Sequence, residues 1–349
     1  MPAPVDLACV VHCHSTYSDG TGTVGQIAAA AARAGADAVL LTDHDTLAAR
    51  IRGEERWHGN VLVCVGVEIS PRGGNHYLAF GLDELLPHEG RTPREVVAAV
   101  TEAGGFGFLA HPFSQGSPRF ERASGMPWAD LDDPGFTGIE LWSQVTDTLE
   151  GLRSVREAAA FVVAPERVLR APPARNLREW DRLAARRPVV ALGGIDAHQF
   201  GVRVAGRVPL RLMGYARSFR HLRTHVLVDR PPTGEARADR DALYAALRAG
   251  RCYLALDSLA PARGFRFAAV GPRGGVRATM GAQTPADSGV ALAAHVPRPA
   301  HLRLLRDGAV VAEAHGGELR APAAEPGVHR IEAHLAGRAW IISNPIYVR

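Results

Sequence analysis

At 349 residues, with 46% apolar and 22% charged content, the chain has room for one large α/β domain, or one such domain and a smaller companion. No apolar run approaches the roughly 20 residues needed to cross a bilayer, which argues against a helical membrane span. The formal net charge of +4 comes from arginine alone, since there is no lysine, and no dense basic block with interleaved aromatics marks a nucleic-acid surface.

Cys9, Cys13, Cys64 and Cys252 form no CxxC pair and no disulfide framework, a usage typical of a reducing compartment. The opening MPAPVDLACVVHCHS lacks a basic n-region, so no signal peptide is expected and the expected location is the cytoplasm.

Taken in order, several apolar β-type runs end in ionisable residues. Leu7–Val11 runs into His12-Cys13-His14, and a helix follows from about Thr23 to Ala34, stopped by Gly35. Ala38–Leu41 ends in Thr42-Asp43-His44-Asp45, and Val61–Val67 ends in Glu68. His76 directly precedes a short strand, Tyr77–Phe80. Thr92-Pro93-Arg94-Glu95 is a capping box with proline at the first helical position, opening a helix to about Ala103. Phe106–Ala110 ends in His111-Pro112, Thr137–Leu141 carries Glu140, and Pro188–Gly193 leads to Ile195-Asp196-Ala197-His198. Val226–Val228 and a helix over Asp239–Ala249 complete this part. Such alternation of strand and helix predicts a parallel sheet or barrel.

From about Ala260 short alternating segments separated by Gly, Pro and Asp-Gly predict an antiparallel β-sandwich: Phe265–Val270, Val290–His295, Leu302–Leu305, Ala309–Ala312, Gly327–His334 and Trp340–Ile342. The expected division is residues 1–258 and 259–349. Four histidines fall between His301 and His334 with no tight ligand spacing.

His12 and His14 are two apart on an expected strand, so both should face one way, with Cys13 and Cys9 facing the other in the packing. Asp196 and His198 repeat that spacing. Strand C-terminal ends share one face of a parallel barrel or wound sheet, so five separate strands deliver His, Asp or Glu to one place. One histidine at a strand end is usually structural; five independent placements are not. So many imidazoles and carboxylates would repel or shift one another without cations between them. Mixed nitrogen and oxygen ligation without thiolate suits Mn²⁺, Fe²⁺ or Zn²⁺.

At these residues the sequence resembles the PHP (polymerase and histidinol phosphatase) superfamily. The motifs are His12-Cys13-His14-Ser15 with Ser18-Asp19-Gly20, Thr42-Asp43-His44-Asp45, Gly66-Val67-Glu68 and Asp196-Ala197-His198, joined by His76 and His111-Pro112. The likeness spans about residues 5–258. It implies a distorted (β/α)7 barrel and a trinuclear metal site. One ion would be held by His12, His14, Glu68 and Asp196, and a second by Asp19, His44 and His198. A third would share Glu68 with His111 and His76. Ile195 stands where a serine more commonly precedes the aspartate, a position that is not a ligand. Arg248–Tyr253 and Trp340–Val348 resemble the C-terminal part of stand-alone PHP hydrolases, including the carbaryl-hydrolase-like branch.

Asp43 and Asp45 flank a ligand and are candidate catalytic groups, more often partners that orient metal-bound imidazoles than general acids. Glu140 could support the site in a similar way. Arg119, Arg122 and Arg203 follow metal-binding strands, and Arg119 and Arg203 are the candidates for contacting a substrate anion. Gly193-Gly194 suggests close backbone approach. Asp257-Ser258 and the C-terminal histidines form no Ser-His-Asp triad by spacing. The expected function is hydrolysis of a small phosphoester, such as a phosphorylated metabolite, nucleotide or oligonucleotide end, by metal-activated water at two or three divalent ions. The alternatives are carboxyl-ester or carbamate hydrolysis at the same cluster, or a binding protein without catalysis.

Overall fold

The apolar runs of the first 110 residues form strands β1 (Val5–Val11), β2 (Ala38–Leu41), β3 (Val61–Val65), β4 (Val67–Ile69), β5 (Tyr77–Phe80) and β6 (Phe106–Leu109). Later come β7 (Gly138–Ser143), β8 (Val190–Gly194), β9 (Leu222–Val228) and β10 (Cys252–Leu256). The structure, a computed structural model, describes residues 4–117, 125–199, 201–204, 207–211 and 213–349.

Helix α1 (Val24–Ala34) starts where its capping box predicts. Thr23 accepts the Gln26 N–H and Gln26 accepts the Thr23 N–H, while Gly35 closes the helix at φ 78°. Helix α2 (Pro93–Glu102) repeats the device with Thr92 and Glu95. Three longer helices were not expected from the sequence, α3 (Gln144–Gly151), α4 (Val155–Val163) and α5 (Ala174–Arg186), nor were the single turns Ala48–Ile51 and Tyr215–Ser218. Helix α6 (Ala236–Arg248) follows β9. Among the described residues, no helix is long and apolar enough to cross a membrane.

β1, β2 and β3 are parallel neighbours, and β9 lies antiparallel to β1. β4 to β8 form a second sheet in that order, antiparallel at its first two joins and parallel at its last two. The arrangement is therefore mixed. The link 70–76 between β4 and β5 is too short for a crossover, so the two strands meet antiparallel. Gly66 carries the chain from one sheet to the other, where a Cβ would overlap the Phe80 ring and the Ala79 carbonyl.

Both sheets surround one interior. Leu7, Cys9 and Val11 of β1 pack there with Cys64, Phe80, Phe108 and Leu192, and α6 contributes Leu243 and Leu247. The ladders do not run unbroken around this interior. The sheets meet instead through the isolated bridges Cys13–Ala197 and His44–Glu68, so an uninterrupted seven-stranded barrel is not what the hydrogen bonds describe.

The longer C-terminal strands are β11 (Arg266–Val270), β12 (Asp287–Arg306), β13 (Ala309–Ala323), β14 (Gly327–Leu335) and β15 (Arg338–Ser343). Their hydrogen bonds do not set them apart, since β15 pairs with β10 and joins them to the 14-stranded sheet that contains β1. They enclose their own apolar cluster, with Phe265, Leu292, Leu302, Ile331 and Trp340. β12 is one strand of 20 residues where two were expected. Its register shifts between His295 and Ala300, and that irregular stretch is where Pro297 and Pro299 fall.

Candidate metal centre

The first ligand motif reaches its place by a kink. β1 ends at Val11, and His12 then takes φ 64°, a left-handed conformation rare for a residue other than glycine. Cys9 therefore lies in the interior cluster and Cys13 in the outer one, so the two cysteines do not share a side as simple alternation predicts. Asp196 and His111 carry the same strain, at φ 58° and 31°. Positive φ at three of the nine expected ligands is the kind of local cost that persists only where surrounding structure enforces it.

Glu68 is the centre of the cluster, with only 1% of its surface exposed. Its Oε2 lies 2.9 Å from His12 Nε2, 3.1 Å from His14 Nε2 and 3.6 Å from His44 Nδ1. Its Oε1 lies 2.7 Å from His76 Nδ1 and 3.5 Å from His111 Nε2. Asp196 Oδ1 stands 3.5 Å from His12, His14 and His198 alike. At the open side Asp19, more than half exposed, places Oδ2 3.2 Å from His198 Nε2 and 3.9 Å from His44 Nε2.

All nine expected ligands thus meet. Three sets have donor atoms within 4.8 Å of one another: His12, His14, Glu68 and Asp196; His14, Asp19, His44 and His198; and His44, Glu68 and His76. His111 touches the cluster through Glu68 without joining a set, whereas His14 and His44 each fall in two.

The protonation balance follows from this crowding. Burial works against charge on Glu68, but the His12 charge and imidazole hydrogen bonds outweigh it and hold the carboxyl well below its usual range. Burial likewise opposes charge on His14, and Asp196 and Glu68 lift it to about 9. The carboxylates call for positive charge in the pocket. Several central atoms are nonetheless buried without a hydrogen bond: both nitrogens of His14, Glu68 Oε1, and the Nδ1 atoms of His76 and His111. His14 Nε2 and His76 Nδ1 thus crowd Glu68 at 3.1 and 2.7 Å without hydrogen-bond geometry, an arrangement that suits cations between them.

Supporting groups come from elements the motifs do not include. Glu140 on β7 is fully buried, with Oε1 3.0 Å from His12 Nδ1 and Oε2 accepting the His111 N–H at 2.7 Å. Gly194 makes room for it, because a Cβ there would overlap Glu140 Oε1. Thr146 donates to Asp196 Oδ2 at 3.0 Å. Its position just past a strand end was the one sequence signal available for it. The Tyr215 hydroxyl donates to the His14 carbonyl at 2.7 Å and accepts N–H groups from Thr21 and Gly22 at 3.2 and 3.3 Å. These partners are all backbone, so no side-chain motif announces the tyrosine.

Asp43 and Asp45 do different work from the imidazole support expected of them. Asp43 accepts the Ser15 N–H and both the Ser15 and Ser18 hydroxyls at 2.6–2.8 Å, fixing the loop between His14 and Asp19. Asp45 accepts the Ser70 N–H at 2.8 Å and sits 3.1 Å from His88. Arg119 and Arg122 lie outside the described residues, and of Arg203 only the backbone, in the strand Gly201–Val204, is described.

Residues 11–120 match the family described as the PHP domain. No curated protein matches the chain. Similar solved structures include a proposed metal-dependent phosphoesterase of Bifidobacterium adolescentis, 18% identical over 60% of this chain and 93% of its own, with a TM-score of 0.37. A two-domain protein of Bacteroides vulgatus containing a predicted PHP-like metal-dependent phosphoesterase is 15% identical over 99% and 97% of the two chains, with a TM-score of 0.43. PsfC of Pseudomonas syringae is 14% identical over 74% and 94%, with a TM-score of 0.45.

Proposed function

We propose that this chain, which carries a PHP domain across residues 11–120, is a metal-dependent hydrolase of small phosphoesters. The observation that carries the reading is buried Glu68, whose two oxygens each face a different group of imidazoles. That is the position of a carboxylate shared between cations.

On this reading His12, His14, Glu68 and Asp196 hold one ion, and Asp19, His44 and His198 hold a second. Glu68 with His76 and His111 serves a third. The ions are of the Mn, Fe or Zn class, two or three in number. When bound, they act as Lewis acids toward a phosphoryl oxygen and make water acidic enough to attack near neutral pH. The chain supplies the alignment. Glu140 orients His12, Thr146 holds Asp196, and Tyr215 ties the His14 strand end to the Asp19 loop. Half-exposed Asp19, with partly exposed His44 beside it, defines the side from which a substrate enters. Arg119 and Arg203 are assigned from sequence alone as contacts to its phosphate.

We read residues 1–258 as the distorted (β/α)7 barrel and 259–349 as the smaller β domain, and place the protein in the cytoplasm on its four buried, unpaired cysteines. The test is a panel of p-nitrophenyl phosphate, bis-p-nitrophenyl phosphate, p-nitrophenyl acetate and an aryl carbamate, with the protein stripped of metal and reloaded with Mn²⁺. Phosphoester turnover that vanishes on stripping and returns with Mn²⁺ is expected. Turnover of only the acetate or carbamate would replace this reading with the acyl alternative.

A further inference from the structure

Strand β13 runs for 15 residues and pairs on one side only, with β12; among the described residues nothing pairs with its other edge. Backbone N–H and C=O groups left open along such an edge are a template for another strand. The alternation of its side chains breaks once, at Gly316-Gly317. Ahead of the glycines Glu313 and His315 are exposed, with Ala312 and Ala314 turned inward. Beyond them Glu318 and Arg320 are exposed, with Leu319 and Ala321 turned inward. Both glycines are partly buried, so two successive inward positions shift the alternation by one, with φ at 150° for Gly316, a value open to glycine. All four polar side chains therefore stand on one outer face.

We infer that this edge is a dimer interface, occupied by a second copy of the chain that pairs antiparallel to it about a two-fold axis between Gly316 and Gly317. Such pairing sets 313 opposite 320, 315 opposite 318, 314 opposite 319 and 312 opposite 321. Directly opposite residues share a face, and the shift at the glycines is what lets odd positions meet even ones in that way. On the outer face Glu313 of one copy meets Arg320 of the other, and His315 meets Glu318. On the inner face Ala314 meets Leu319 and Ala312 meets Ala321. The two-fold axis repeats each contact. Residues 312–321 of both copies would form a continuous ladder of about 34 Å, at about 3.4 Å per residue.

Charge selects both this register and a second copy as the occupant. Slipping the pairing by one residue sets outward positions against inward ones. Slipping it by two sets Glu313 against Glu318, or His315 against Arg320. The groups are also available. Among the described residues no hydrogen bond or ion pair engages the Arg320 side chain. Glu318, 82% exposed, has His295 at 3.7 Å. Glu313, 52% exposed, faces His301 at 3.5 Å and Arg303 at 3.4 Å, but Arg303 is shared with Glu332. His315 stacks on His301 at 4.5 Å and has no ion pair of its own among the described residues.

The experiment is sedimentation equilibrium of the full chain across the micromolar range. The expected mass is twice the 37.2 kDa of one chain, and a monomer at every concentration overturns the interface. Arg320→Glu sets like charges opposite each other at two symmetric places and should weaken the dimer at least about tenfold, whereas Arg320→Lys should keep it. A dimer indifferent to Arg320→Glu would be using another surface, which also overturns the inference. Register is read by cross-linking. The double variant His315→Cys, Glu318→Cys should form disulfide-linked dimers on mild oxidation, while Glu313→Cys alone, far from its own symmetry mate, should not. The four native cysteines are buried and do not compete. A dimer that the double variant fails to link would overturn the pairing about the glycines. Mass and cross-links are read without any turnover, so they stand or fall apart from the hydrolase reading.

Discussion

Glu140 and His12 are joined by a 3.0 Å contact sealed from solvent on both sides. By accepting from His12 Nδ1, Glu140 would keep a proton on that nitrogen, so that a bound cation would take the place of the Nε2 proton beside Glu68 and Asp196. Glu140→Gln keeps the volume but weakens that orientation. It should lower metal affinity by about ten- to a hundredfold, a typical cost for losing such a partner. Turnover measured across a Mn²⁺ titration checks this, and saturating Mn²⁺ should recover most of the activity. A loss that no Mn²⁺ concentration relieves would show that Glu140 acts in some other way.

Gly194 is required by the same contact. A methyl group there would collide with Glu140 Oε1 and come 3.1 Å from His12 Cβ. Gly194→Ala should therefore displace both side chains and cut turnover by at least about a hundredfold, the scale expected from misplacing a catalytic constellation by an ångström. Circular dichroism should stay native-like. Near-native turnover would mean that the pocket yields more readily than its packing suggests.

The ligands were legible because chemistry-bearing residues recurred at the ends of apolar runs, and a strand end is a position that both sequence and structure mark. How they converge was not legible. His12 and Asp196 leave their strands through left-handed turns, and although Asp and His take positive φ more readily than most residues, nothing in the sequence marks these two positions for it. Segment 144–186 hid three helices for another reason. In α5 the apolar residues Leu177, Trp180, Leu183 and Ala184 recur at helical spacing and are the signal that could have found the helix, but so many arginines surround them that the segment reads as polar overall. The continuity of the two halves was also invisible, because pairing of Tyr253 with Ser343 and Leu254 with Ile342 depends on register between segments far apart in the chain.

Arg330 of β14 grips Asp181 of α5 with two bonds of 2.8 and 3.0 Å, and so ties the C-terminal strands to the flank of the first half. Both groups are largely buried, and Arg330 also meets Glu332 at 2.5 Å. Asp181→Ala leaves a buried guanidinium with half its partners, and should cost about 3 kcal/mol in urea unfolding. The double change Asp181→Leu, Arg330→Met removes the stranded guanidinium and leaves Glu332 to Arg303 and His334, so it should regain part of that loss. Equal stability of the single and double variants would contradict this account.

His225 lies between two aspartates, Nδ1 2.7 Å from Asp6 and Nε2 3.2 Å from Asp257, with Tyr253 stacked on the ring at 4.7 Å. Burial disfavours its charge, but hydrogen bonds to Asp257 and Asp6 outweigh burial and lift the imidazole to about 8. An unfolded histidine titrates near about 6.5, so the folded state binds this proton more tightly. The resulting stabilisation is complete below about pH 6.5 and is lost as pH rises through about 8. The difference between those two values corresponds to about 2 kcal/mol. Metal ligation has its own pH dependence, so the measurement is a difference: urea stability of the native chain minus that of His225→Gln, at pH 6 and at pH 9. That gap should narrow by about 2 kcal/mol on going to pH 9. A gap that stays constant would mean His225 holds no extra proton in the folded state, and that Asp6 is held by Tyr253 and Arg266, and Asp257 by Arg223, instead.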